Sequence, residues 1–118
     1  MTAHEKHMEF HRRNDEATKL LMTILPRCIP EGWREALLEL TAAWTPHTGA
    51  LAVHHSLTNP GTQESVSDFP AELFEATAAL HQVFAEFQQD WKRAAFNMKV
   101  NGLSLPQGYE VKFTYGPP

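Results

Sequence analysis

Two stretches of helical periodicity, separated by runs of alternating polarity, place this chain in the α+β class. Three observations carry that expectation. Pro70 to Trp91 repeats its apolar residues at the steps of a helix. Ala94 to Val100 and Tyr109 to Tyr115 alternate apolar with polar residues as strands do. The strand-like runs come in neighbouring pairs joined by turn residues. Helices separated by hairpins favour two layers: an antiparallel sheet of four to five strands with two helices packed on one face. At 118 residues the whole chain, 1–118, fits one domain.

The first element is a helix from about Ala3 to Arg27, in which Phe10, Ala17, Leu20, Leu21, Ile24 and Cys28 share a face. Pro26 and Pro30 end it. Ile29 to Trp33, IPEGW, reads as a turn because Pro30 and Gly32 bracket a glutamate between two apolar residues. In WREALLELTAAW, which follows, Ala36, Leu38, Leu40, Ala42 and Trp44 alternate with Leu37, Glu39, Thr41 and Ala43. The Ala and Leu content also suits a short helix, and the flanking turns favour a strand. Thr45 to Gly49 carries turn residues. Ala50 to Leu57 returns as a second strand with Leu51, Val53, His55 and Leu57 on one side. Thr58 to Pro70 is polar loop, with a short edge strand near Glu64 to Ser67.

The second helix is the best-specified element. Leu73, Thr77, Leu80, Phe84, Phe87 and Trp91 form one stripe, which Phe74, Ala76 and Val83 widen to the apolar face of a helix lying on a sheet. Asp68 or Ser67 suits its cap, and Pro70 its first turn, where a missing N–H leaves nothing unpaired. The closing hairpin joins Ala94–Val100 to Tyr109–Tyr115 through Asn101 to Gly108, longer than a tight turn, so its register is open. Phe84, Phe87, Trp91, Phe96, Met98, Val111 and Phe113 are expected to share a core.

Charge is distributed unevenly. The formal net charge is −4, and the segment from Pro60 to Trp91 contains Glu64, Asp68, Glu72, Glu75, Glu86 and Asp90 but no Lys or Arg. On the wheel of the second helix, Glu72, Glu75, Glu86 and Asp90 fall within an arc of about 60°, away from the apolar stripe. Such an arc is either a solvated face that keeps a small protein dissolved or a partner-binding face. Trp44 and His47, at the first hairpin's turn, are expected to add an anchor near it, although Trp44 fits equally well in the core.

Other chemistries find little purchase. No apolar run approaches the about 18 residues of a membrane span, and MTAHEKHMEFHRR is too charged for a signal peptide, so a cytoplasmic location with no membrane partner is expected. Cys28 is the sole cysteine, which excludes an internal disulfide and a thiolate zinc cluster. It reads as a buried, small apolar residue. Of seven histidines, His4, His7 and His11 lie on one helix flank, where His7 and His11 have metal-ligand spacing but no carboxylate or cysteine to join them. His54 and His55 point to opposite faces of a strand, and His81 reads as half-buried beside Phe74. Nucleophile elbows, phosphate-binding loops, dinucleotide fingerprints and zinc-protease motifs are missing. No catalytic residue, metal or cofactor is therefore expected, and the acidic balance argues against nucleic acid as a partner.

Taken in order, the amphipathic first helix, the turn Pro30-Glu31-Gly32-Trp33 leading into a strand, the second helix ending at Trp91 and the terminal strand Tyr109 to Tyr115 resemble the YezG-like immunity proteins of bacterial polymorphic toxin systems. The resemblance spans nearly the whole chain. It departs from the family pattern in the loop Leu103 to Gln107, which lengthens the last hairpin. It implies a non-enzymatic protein that binds and neutralises a cognate toxin domain, often a nuclease; a monomer or a weak homodimer is expected. An acidic stripe agrees with a basic nuclease partner, since a nuclease must be cationic to hold phosphate. The alternative from another class is a small acidic secretion chaperone that holds an effector's extended segment through sheet edges.

Overall fold

The computed structural model describes residues 2–44, 51–87, 91–101, 103 and 106–115, with the side chains of Trp44 and Leu51 outside that description. Helix α1 spans Ala3–Ile24 and runs into a short 3-10 turn, Leu25–Arg27. Strands β1 (Glu35–Trp44), β2 (Leu51–Thr58) and β3 (Ser65–Val66) follow, then α2 (Ala71–Glu86), β4 (Arg93–Val100) and β5 (Pro106–Thr114). The strands form one antiparallel sheet in the order β3-β2-β1-β4-β5, and the fold is α+β.

Side-chain alternation sets the two faces of the sheet. Ala36, Leu38, Leu40 and Ala42 of β1, Leu57 of β2, and Ala94, Phe96, Met98 and Val100 of β4 are buried beneath the helices. Their neighbours on the other face, such as Glu39, Thr41, His54, Arg93 and Lys99, remain partly or fully exposed. The two helices run antiparallel. Phe10 of α1 meets Phe84 and Phe87 edge-on at centroid distances of 5.0 and 5.3 Å, and Phe84 lies 4.6 Å from Phe113 of β5. The turn before β1 is as expected: Gly32 takes a φ of 91°, a left-handed conformation that a side chain would oppose.

Several expectations change. Helix α2 ends at Glu86, and Trp91 reaches the core from the segment leading into β4 rather than from the helix stripe. Burial selected the right residue, but periodicity assigned it to the wrong element, because a large apolar side chain fits a helix face and a strand entry equally well. Pro70 is itself the N-cap, with no side-chain cap bond, so neither Ser67 nor Asp68 has that role. Val111 is 38 % exposed, since it stands on the edge strand where helix cover runs out. Leu20 and Phe74 are likewise exposed, each at the margin of its helix's apolar arc. The last hairpin keeps a regular register from Arg93↔Thr114 to Lys99↔Gly108 and then shifts, so that Val100 meets Pro106.

Candidate functional site

Helix α2 packs on the sheet from β2, where Thr77 meets His55, to β5, where Phe84 meets Phe113, and so turns its opposite side outward. Leu73, Ala76, Thr77, Leu80, Val83 and Phe84 are buried, whereas Glu72 and Glu75 stand exposed in its first two turns. Among the described residues neither has a cationic partner. Glu86, on the same side at the other end, differs. Its carboxylate is ion-paired with Arg13 of α1 and accepts a hydrogen bond from Gln82 Nε2 at 3.2 Å. The Arg13 hydrogen bond holds Glu86 below the usual carboxylate range.

The expected unbroken row of unpaired acids is therefore corrected. No Lys or Arg interrupts it in α2, but packing brings Arg13 to it from the facing helix. Glu72 and Glu75 remain as its free part. Asp90 and His47 lie outside the described residues. Trp44 closes β1 opposite Leu51 and is described through its backbone alone.

Helix α1 pairs most of its charges internally, while Glu5 and Lys6 have no ion-pair partner among the described residues. Arg12 bridges Glu9 and Glu16, the latter at 2.7 Å, and Lys19 pairs with Asp15 at 2.8 Å. Glu5, the unpaired acid of α1, has Lys6 beside it, whereas no Lys or Arg adjoins Glu72 and Glu75 within α2.

The histidines divide by environment. His7 and His11 bring their Nε2 atoms to 3.0 Å on the surface of α1, and no group of three metal-binding side chains forms among the described residues. His54 points to the open face, as expected, and His55 to the helices. Thr77 Oγ1 lies 2.8 Å from His55 Nε2 and 3.1 Å from the Phe74 carbonyl oxygen, and its single proton serves one of the two. His55 Nδ1 is buried without a hydrogen bond of ordinary geometry. Burial pushes His55 below the usual imidazole range; the Val53 backbone opposes this in part. His81 corrects the sequence reading: it is fully buried, with Nε2 3.1 Å from the Trp91 carbonyl oxygen and its ring edge-on to the indole at 4.7 Å. Its place on the flank of the second helix was legible, but the arrival of Trp91 against it was not.

Sequence reasoning did not single out the open face of the sheet. A depression of about 940 Å³ lies there, lined by Glu39, Thr41, His54, Ser56, Lys92, Arg93, Thr114 and Tyr115 among others. Glu39 pairs diagonally with Arg93, and Glu35 pairs with Lys99 directly opposite at 2.9 Å. Alternating polar residues in β1 and β4 were the available signal, but only strand register joins these acids to these bases. Cys28 is buried near the Ile24 carbonyl, and burial raises its thiol pKa, which keeps it protonated and unreactive. No helix among the described residues is long and apolar enough to cross a membrane. Comparison with protein families and with curated proteins finds no match for this chain.

Proposed function

We propose that this chain is an immunity protein, which binds and neutralises a cognate polymorphic toxin in the cytoplasm by direct protein–protein contact. The observation that carries the reading is the exposed pair Glu72 and Glu75, unpaired among the described residues on a helix whose third acid, Glu86, is tied to Arg13, within a chain of net charge −4. A cationic nuclease cleft is the surface such a pair complements; Glu72 also suits the positive N-terminal end of its helix, whereas Glu75, a turn further on, gains little there and repels Glu72. In this reading the chain turns nothing over and needs no metal or cofactor.

The test is co-expression with the toxin domain encoded beside it. Survival of the producing cell and co-purification of the two chains are the expected results. Toxicity that persists at full expression of the folded protein ends the proposal.

A second reading, a secretion chaperone, draws support from a different feature: the free edge of β5, with Tyr109 and Val111 exposed beside it. A chaperone would protect an extended effector segment and leave a toxin fully active. That activity assay separates the two.

A further inference from the structure

Strand β5 closes one side of the sheet. Eight of its nine residues pair with β4 on one edge, Gln107 being passed over at the register shift, and among the described residues no strand takes the other edge. In an antiparallel strand each residue directs its N–H and C=O to one edge, alternating along the chain, so about half of the backbone groups of β5 face outward as a template for another strand. The side chains beside that edge are not those of a solvated margin. Tyr109 and Val111 are 45 % and 38 % exposed on the helix-bearing face, where α1 leaves a hollow lined by His11, Asn14, Thr18 and Phe113. Glu110 and Lys112 stand exposed on the open face.

The order of these residues is self-complementary. In an antiparallel pair, facing residues must share a face, so odd-numbered residues of β5 meet odd and even meet even. A two-fold axis at Val111 puts Val111 against Val111 of the second copy, Tyr109 against Phe113, and Glu110 against Lys112. Each unlike pair occurs twice by symmetry. The neighbouring allowed registers fail on charge: an axis at Glu110 sets glutamate against glutamate, and one at Lys112 sets lysine against lysine. Opposite charges directly across a strand pair are favourable and like charges unfavourable, so of these three registers the charges select the one centred on Val111.

From this we infer that the protein pairs with a second copy of itself through β5, antiparallel about Val111, joining two five-stranded sheets into one continuous sheet. The inference does not rest on the toxin-binding reading. It leaves Glu72 and Glu75 free, since the first turns of α2 lie beside β2, across the sheet from β5. A single strand pair falls at the small end of specific interfaces, so association is concentration-dependent.

Sedimentation velocity over a wide concentration series tests it. The wild-type chain is expected to pass from monomer to dimer. Glu110→Lys and Lys112→Glu should each weaken the dimer about tenfold or more, because each sets like charges opposite twice. The double variant, Glu110→Lys with Lys112→Glu, restores opposite charges at the same register and should regain the wild-type dissociation constant. Both positions are exposed, and an unchanged thermal midpoint verifies the fold of each variant. A wild-type chain monomeric at every concentration overturns the inference, as does a double variant no tighter than the singles.

Discussion

Arg13 of α1 closes onto Glu86 in the last turn of α2, and in doing so it removes the C-terminal carboxylate from an acidic flank that is otherwise open. The contact ties the two antiparallel helices together beside the Phe10–Phe84 edge-on pair. It also divides the flank by role: Glu86 holds a neighbouring helix, whereas Glu72 and Glu75 face solvent.

That division is testable in binding kinetics. Glu72→Lys with Glu75→Lys should slow association with a basic toxin domain about tenfold at low ionic strength, with a smaller effect on dissociation. Added salt should narrow the gap between variant and wild type. Equal association rates in a well-folded variant would return these acids to a solubility role.

The core makes a prediction on stability. Phe84 is 2 % exposed and touches rings from both α1 and β5. Phe84→Ala should therefore cost about 3–5 kcal/mol. Leu20→Ala, at a side chain 49 % exposed, should change stability by less than about 1 kcal/mol. Chemical denaturation of the two variants checks both, and equal losses would show that the buried stripe has been misassigned.

His55 links stability to pH. Its folded pKa lies below the ordinary 6.5 because burial disfavours the imidazolium. The unfolded chain therefore binds the proton first as pH falls, so this contribution is complete above about 6.5 and is lost between there and the folded value. The thermal midpoint should fall across that interval. In His55→Phe, which removes the titrating ring while the Thr77 hydroxyl keeps the Phe74 carbonyl, the decline should be shallower. An identical pH profile in wild type and variant would refute the assignment.

The surface histidines give the opposite expectation. His4, His7 and His11 are exposed on α1, and only His7 and His11 make a mutual contact. Replacing all three with alanine should leave the thermal midpoint and any protective activity unchanged. A midpoint raised by zinc in the wild type but not in the triple variant would assign them a metal-binding role.

Local pattern alone determined much of this protein. Period-two alternation located β1, β2, β4 and β5, and the 3.6-residue repeat located both helices, because burial of one face imposes those periods whatever the partner. The polar loop before α2 even disclosed the two-residue β3. Distance in the chain defeated the rest. Trp91 is buried as its size demands, but it enters from the approach to β4, which no helical wheel can show. Val111 alternates like a core residue yet stands half-covered, because only the strand order makes β5 an edge. Glu86 and Arg13, or Glu39 and Arg93, are far apart in sequence and meet only through helix packing and strand register. Periodicity is a one-dimensional record of which face is buried; charge pairing and edge exposure depend on which elements become neighbours, and only the tertiary structure decides that.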